Sequence, residues 1–462
     1  MVQEPAVELS RATRAELSDV LALVHECELL ETGVAEAIES FVVARATGSL
    51  IGCAGLEVYG ALTIPLDTNY GATVTRFFGA NQAIPSNLSY LNVDILGTVH
   101  PVAKFEAQDT LNVLAGSFDV NGQTVIADSL FQTAGTGTLT MTNAADTLLT
   151  FNLASFGGGS TAGLLTAGVL QTPFFQQLSA NSAQSFAASG SHVLSIVDAP
   201  GYSPGPVTFQ SSSAAASHPQ ELAFNLASQR TLTNALYVAD TLYGPGSDGS
   251  VSGAPGVAVT VVGPFVQGGS PNFSVDTLEL RDPDPIRGNI PGLWNPLVTR
   301  FAGANQLIRD TISYHTLEVT GSAHVTYFAS ADSVIVNGGS LQVRTGNLSV
   351  NGDFSTRSGG VLTMTDPTAN LFINGNAAFG GGSTTGLLTA GTINLSSGSF
   401  VEGNCRGATD AVASSGTAVT LNGSDFVQNV HFQDPGASHF QDFTSTNGLG
   451  MAVTGIMPVN GN

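Results

Sequence analysis

Short runs in which apolar and polar residues alternate fill most of this chain. LTMT (139–142), TLNVLAGSFDV (110–120), HTLEVTG (315–321), SVIVNGG (333–339), SLQVRTGNLSVNGDF (340–354) and AVTLNGSDF (418–426) are the clearest. A period of two puts every second side chain on one face of an extended strand, and the Thr, Val and Ser of these runs suit a pleated, half-buried surface. Gly, Asn and Asp punctuate the runs every 8–12 residues or so, which predicts many short strands and is compatible with a sandwich, a barrel or a solenoid.

The first 60 residues follow another pattern. In ATRAELSDVLALVHEC (12–27), Leu17, Val20, Leu21 and Val24 have helical spacing, with Glu16 and Asp19 near the start where a helix dipole favours anions. ETGVAEAIE (31–39) reads as a second short helix. SFVVARA and SLIGCAGLEVYG read as two strands joined at Thr47-Gly48, and Val7–Leu9 reads as an earlier one. Charge changes at the same place: residues 1–60 hold ten acidic and three basic side chains, against 25 and ten in the other 402.

The run SRATRAELSDVLALVHECELLETGVAEAIESFVVARATGSLIGCAGLEVYG resembles the first half of a GNAT-type N-acetyltransferase, of the kind associated with arsenic-resistance operons. The resemblance covers residues 6–60. It implies half of that α/β fold, with Glu57 at the end of a strand that borders the substrate in that family. There the following strand and helix carry a Q/R-x-x-G-x-G/A loop whose backbone N–H groups cradle the acetyl-CoA pyrophosphate. Here Gly60 is followed by ALTIPLDTNYGATVTRFFGANQ, which holds neither the loop nor the helix. Acyl-CoA-dependent N-acetyltransfer, with acetyl-CoA as cofactor, is therefore the alternative function, and no cofactor-binding residue is assigned.

Residues 61–462 repeat. VTRFFGANQAI from Val74 returns 224 residues later as VTRFAGANQLI from Val298, Ser89-Tyr90 as Ser313-Tyr314, and His100 as His324. After a one-residue slip, FGGGSTAGLLTAG (156–168) returns as FGGGSTTGLLTAG (379–391). VTFQ (207–210) matches VHFQ (430–433), and SHPQEL (217–222) matches SHFQDF (438–443). The expected division is a partial GNAT-like segment at 1–60, one unit at 61–285 and a second, shorter one at 286–462. The N-terminal piece either caps the first coil, whose open strand edges need cover, or marks a gene join. We take it as the latter, because it breaks off halfway through its family's fold.

Among β architectures the pattern favours a right-handed parallel β-helix or solenoid, with tandem β-sandwich modules as the alternative. Ser, Thr, Asn and Gly take the polar positions and can stack from coil to coil with little repulsion, and Gly permits tight corners. Phe outnumbers Tyr and Trp by 25 to 9, as internal aromatic stacking requires. Coils of roughly 20 residues, each rising about 4.8 Å, predict a rod on the order of 100 Å. The repeat region also resembles tandem-repeat β-rich surface proteins of environmental bacteria, on FGGGSTTGLLTAGTI and ASSGTAVTLNGSDFVQNVHFQDPGASHFQDF. That resemblance implies a non-enzymatic structural or adhesive role at the cell surface, with glycans, or self-association through solenoid edges, as partners. Polysaccharide binding or processing by a β-helix is the second alternative.

Composition narrows the chemistry. Charged residues are 10%, the net charge is -22, and Lys104 is the only lysine, which disfavours nucleic acid as a partner. Cys27, Cys53 and Cys405 are too scattered for a disulfide framework, and Cys27 and Cys53 read as buried, inert thiols. No basic-then-apolar leader opens the chain, and no apolar stretch approaches the roughly 20 residues of a membrane span. Asp282 and Asp284 in RDPDPIRG, flanked by Arg281 and Arg287, form the only close pair of aspartates and read as a linker between units. The histidine pairs His100/His324 and His218/His439 read as copied surface or turn positions. Ser160 and Ser383, in GGGST, read as turn residues. Trp294 in PGLWNPL lies in a Pro-rich join and not on a sugar-binding platform. No catalytic, cofactor or metal residue is assigned.

Overall fold

The alternating runs become strands wherever one side of the alternation can be buried. The structure is a computed structural model and describes residues 7–11, 18, 42–46, 49–54, 56–58, 73–85, 88, 90–198, 205–246, 249–267, 272–288, 294–403, 410–424, 427–433, 435 and 437–461. Both helices read in the first 60 residues lie outside the described residues, apart from Ser18. The chain forms two units, Met1–Ala223 and Phe224–Asn462.

Unit 1 opens with a three-stranded antiparallel sheet in which Val42–Ala46 pairs with both Val7–Arg11 and Ser49–Ala54. From Leu56 the unit is a parallel β-solenoid with three faces per coil. The first face stacks Val74–Phe77, Tyr90–Ile95, the second half of Phe105–Val113, Leu130–Thr133, Leu153–Phe156, Phe174–Gln177 and Pro206–Phe209. The second stacks the first half of Phe105–Val113 with Thr124–Ala127, Thr147–Thr150, Val169–Thr172 and Val193–Val197. The third stacks Gln82–Ile84, Thr98–Pro101, Ser117–Asp119 and Thr138–Thr140, and continues through the single bridges Met141↔Leu165 and Leu165↔Ala188.

Unit 2 begins with further parallel coils, among them Gln229–Leu232 on Ser250–Gly253 and Leu236–Val238 on Ala258–Val261, and from Thr277–Leu280 onward it follows the plan of unit 1. Its long strand Phe328–Asn337 turns from one face to the next as Phe105–Val113 does, pairing first with Asn347–Val350 and then with Phe354–Arg357. Every described pairing from Leu56 onward is parallel, so the sandwich alternative, which needs antiparallel neighbours, does not hold. Register partners Arg76, Asp94 and Asn112 lie 18 residues apart, and Asn347 and Asn370 lie 23 apart, bracketing the expected coil of roughly 20.

Two boundaries differ from the sequence reading. Leu56–Val58, inside the acetyltransferase-like segment, already pairs with Val74–Phe77 as a solenoid strand. Its register is Leu56↔Thr75, Glu57↔Arg76 and Val58↔Phe77. In unit 2 Leu278, Glu279 and Leu280 take the same places against Thr299, Arg300 and Phe301. The repeat thus starts before residue 61. RDPDPIRG, read as a linker, carries the strand Ile286–Gly288, which pairs with Phe265–Gln267 and buries Ile286.

Alternation sorts side chains inward and outward. Leu341 and Val343 are fully buried while Ser340 and Gln342 between and beside them are not. Aromatics stack along the interior: Phe77–Tyr90–Phe105–Phe118 at centroid distances of 6.0, 5.3 and 6.1 Å, and Phe354–Phe379–Phe400 at 5.4 and 5.2 Å. Such pairs contribute about 0.5–1.5 kcal/mol each beyond their burial. One charged rank in each copy, Glu57–Arg76–Asp94 and Glu279–Arg300–Glu318, alternates in sign up the stack. Asp94 accepts from Arg76 at 3.1 Å and from Asn112 at 3.0 Å. Its twin Glu318 accepts from Arg300 at 2.8 Å and from Asn337 at 3.0 Å. Burial pushes the Glu318 carboxyl up, but the bonds from Asn337 and Arg300 outweigh it and hold the group below its usual range.

Candidate functional site

The motifs that the two copies share are the places to look for chemistry, and the structure puts them at the corners. In FGANQ the Asn takes a left-handed backbone, with φ of 55° at Asn81 and 53° at Asn305. A short amide side chain tolerates that conformation. The following Gln turns inward: Gln82 accepts from the Gly79 N–H at 3.0 Å, and Gln306 from the Gly303 N–H at 2.6 Å. The Gln306 amide also donates to the Leu280 and Asp282 carbonyls, each at 3.0 Å. One buried amide therefore satisfies three backbone groups at a corner where no strand can. Gln306→Ala is expected to destabilise unit 2 by about 3 kcal/mol, since each buried group left unpaired costs about 1–3 kcal/mol. Urea unfolding followed by tryptophan emission measures it, and a loss under about 0.5 kcal/mol would remove this role.

GGGST makes the next corner. Thr133 Oγ1 accepts from Gly158 N–H and Thr356 Oγ1 from Gly381 N–H, at 3.3 and 3.2 Å. Thr161 and Thr384, both buried, accept from Ala187 and Ala413 N–H at 2.8 Å in each copy. Ser160 donates to Gln184. Ser383 and Thr385 both donate to Asp410, and these hydroxyls hold the Asp410 carboxyl below its usual range. These hydroxyls act as turn devices: Ser160 is bonded to an amide of a neighbouring coil, and the Asp410 carboxylate that accepts from Ser383 is shared with Thr385.

The SH motif joins coils in the same way. Buried Ser217 accepts from Phe186 N–H at 3.1 Å, and buried Ser438 from Val412 N–H at 3.3 Å. The following histidine ring lies 2.9 Å from the Ala216 carbonyl at His218, and 3.0 Å from the Ala437 carbonyl at His439. His100 and His324 share an outward position on the third face, in register with Ala83 and Leu307. Burial, helped by Arg344, lowers the His324 imidazole.

The remaining sequence candidates are scattered among these devices. Arg287 lies 3.2 Å from Asp282 and 3.3 Å from Asp284 and so is shared by both carboxylates. Glu57 and Cys53 are placed by register alone, opposite Arg76 and Val43. Cys27 and Cys405 lie outside the described residues. Trp294 is buried at 5% exposure, donates from Nε1 to Thr299 at 2.6 Å, and packs edge-on against Phe265 and Tyr314. It is a core side chain of unit 2, not a residue of an open join. The emission of this single tryptophan is accordingly expected to be blue-shifted, weakly quenched by acrylamide and unmoved by oligosaccharides; an exposed, sugar-responsive spectrum would contradict its placement.

Sequence reasoning passed over two features. His192 is fully buried, and neither ring nitrogen has a hydrogen-bond partner. Its aromatic neighbour is Phe186, at 5.8 Å edge-on, and burial pushes its pKa down to about 3. Its twin in unit 2 is Thr417, whose hydroxyl donates to the Ala390 carbonyl at 2.7 Å. The second feature is a set of outward aromatics, Tyr327, Phe328 and Phe372, although the excess of Phe favours interior stacking. An open groove also runs along the glycine corner of unit 2, lined by Gly303, Gly321, Gly339, Ser322 and Ser340. The Ser322 and Ser340 N–H groups there are already bonded to Gly303 and Gly321 carbonyls. Among the described residues no group of three or more His, Cys, Asp or Glu is placed to hold a metal ion, and no helix is long and apolar enough to cross a membrane. Comparison with protein-family models, with curated proteins and with solved structures gave no match.

Proposed function

We propose that this chain is a non-enzymatic structural or adhesive solenoid of the bacterial cell-surface kind, with an acetyltransferase-like segment at its N-terminus. One observation carries the reading: what the two copies share serves the coil itself. The FGANQ glutamine, the GGGST threonine and the SH serine each satisfy backbone groups at the same corner of each copy. A repeat kept for chemistry would share side chains converging on a common space. A repeat kept for architecture shares its corners and lets its outward ranks vary, as these do. Stacked Ser, Thr and Asn give each unit outward ranks of neutral hydrogen-bonding groups suited to contact with other surfaces.

The test is retention without turnover. Purified protein applied to bacterial cells in a quartz-crystal microbalance is expected to remain after washing. Incubated with acetyl-CoA and amines, or with neutral and acidic glycans, it is expected to release neither CoA nor reducing ends. Failure to remain, or turnover in either assay, overturns the reading.

A further inference from the structure

The second face of unit 2 carries outward aromatic side chains at Tyr327, Phe328 and Phe372, whereas its twin has Phe151, 52% exposed, just past the end of Thr147–Thr150. Ala329, Ala331, Leu348, Val350, Leu371 and Ile373 are all fully buried, so the residues alternating with them point out. Parallel register arranges these in two ranks. One runs Phe328, Asn347, Asn370, Thr392, Ala418, and the other Ser313, Ser330, Ser349, Phe372, Asn394, Thr420. Phe328 is 52% exposed and Phe372 38%, and Tyr327, just before the first rank, is 70% exposed. Phe328 and Phe372 stand two coils and two residues apart, about 10 Å along the stack and about 7 Å across it. Amides and hydroxyls fill the space around them, and Asn370 donates to Asn347 at 3.1 Å. Each such amide has further hydrogen-bonding valences to offer.

We propose that this face binds an uncharged polysaccharide, with Tyr327, Phe328 and Phe372 stacking on sugar rings and the Asn, Ser and Thr ranks bonding to their hydroxyls. The proposal rests on the adhesive reading above and names its ligand class. A sugar ring offers an apolar face of C–H groups and a rim of hydroxyls, the same mixture as these ranks. Charge selects an uncharged ligand. From Phe328 to Ala418 and from Ser313 to Thr420 the ranks hold no Asp, Glu, Lys or Arg, the first reaching a charge only at Asp442 beyond Ala418, so no cation faces the ligand, and a net charge of -22 repels acidic polymers. A second copy of the chain is a poorer match. The rings are separated by amides and do not form the dry apolar centre of a stable interface burying roughly 800 Å² per partner. The twin face supplies the contrast. In register it has Lys104 where unit 2 has Phe328, and Leu149 where unit 2 has Phe372.

That twin also defines substitutions the coil accommodates. The full chain carrying Tyr327→Ala, Phe328→Lys and Phe372→Leu is compared with the wild type by electrophoresis through gels containing hydroxyethyl cellulose, galactomannan, dextran or alginate. The wild type is expected to be retarded by at least one neutral polymer and not by alginate. The triple variant is expected to bind at least tenfold more weakly, with unchanged circular dichroism and tryptophan emission, and Phe372→Leu alone several-fold more weakly. Leu149→Ala in unit 1 is expected to change nothing. No retardation in any neutral gel, equal retardation of the triple variant, or stronger retardation by alginate overturns the proposal. So does a concentration-dependent dimer, seen by sedimentation, that the triple variant abolishes. If the triple variant loses the neutral polymers yet still adheres to cells, the glycan face stands and adhesion has another site. If it keeps both, the face assignment falls and the adhesive reading survives.

Discussion

Gly321→Ala is expected to lower the unfolding free energy of unit 2 by about 3 kcal/mol or more. A Cβ at this position would lie 2.0 Å from the Gly303 carbonyl oxygen and 2.7 Å from backbone atoms of Ala302. Backbone of a neighbouring coil cannot step aside as a side-chain tip can. The coils must part, and overpacking of this kind costs about 1–3 kcal/mol, occasionally more. Gly339 stacks on Gly321 with the same closeness, its Cβ falling 2.3 Å from the Gly321 carbonyl oxygen, so a displaced coil would disturb the next. Gly386→Ala is the control. Gly386 has φ of +72°, but a methyl group there would meet nothing within 4 Å, so only local backbone strain of about 1–2 kcal/mol applies. Urea unfolding followed by Trp294 emission reads both. Because Gly321, unlike Gly386, has no left-handed backbone, a loss at Gly321 no larger than that at Gly386 would contradict its role in the close stacking of coils.

Removing His192 is expected to change the acid limb of stability of unit 1. In the folded chain the imidazole is held neutral, with its pKa pushed down to about 3 by burial, against 6.5 when exposed. Between those values the unfolded chain binds a proton that the folded chain does not. This contribution to stability is therefore complete above about pH 6.5 and is lost progressively as pH falls toward 3. The shift corresponds to about 5 kcal/mol in total, at 1.36 kcal/mol per pKa unit. The variant His192→Thr, which installs the residue of the twin position, removes that dependence. Whatever constant offset the smaller side chain introduces, the slope of stability against pH between 4 and 6 is expected to be shallower than wild type by about 1.4 kcal/mol per pH unit. Denaturant titrations at several pH values, read by circular dichroism, measure the slope; parallel wild-type and variant curves would mean that His192 reaches water or a partner in the folded state.

Much of the architecture was legible because a solenoid writes itself into sequence as local alternation plus a long repeat. Runs such as SLQVRTGNLSVNGDF give both the strands and their corners, and the recurrence of VTRFFGANQAI 224 residues later gives the second copy. The start of the solenoid was not legible. Leu56, Glu57 and Val58 complete the acetyltransferase-like run as naturally as they begin a coil, and only their register against Thr75, Arg76 and Phe77 separates the two. RDPDPIRG read as a linker because Pro and Asp dominate it, yet Ile286 supplies one buried side chain and that suffices for a short strand.

The outward features were less legible, for a different reason. Alternation says that every second residue faces in, but it does not say which sense applies when both are apolar. At Tyr327-Phe328-Ala329 the alanine takes the buried place, in register with buried Leu348, and the two rings go out. His192 escaped notice because its twin is a threonine, so the repeat gave no histidine pair to examine. GGGST reads as a turn from its glycines alone, whereas FGANQ shows in the sequence only as a repeated run, and the structure adds which atom each side chain satisfies.

The central claim is that both copies stack their coils in the same register. Disulfide trapping tests it most directly, in a full chain with Cys27, Cys53 and Cys405 replaced by serine. Two pairs are introduced separately: Asn92→Cys with Thr110→Cys in unit 1, and Thr316→Cys with Ser333→Cys in unit 2. These partners face each other across adjacent coils, bonded at 2.7 Å and 3.1 Å through their side chains, within the Cα separation of about 4.4–6.8 Å that a disulfide accepts. Both pairs are expected to close under mild oxidation, identified by mass spectrometry of the linked peptides, while Asn92→Cys with Leu111→Cys stays open. Closure in only one unit, or closure of the shifted pair in preference to the in-register one, would contradict the shared solenoid.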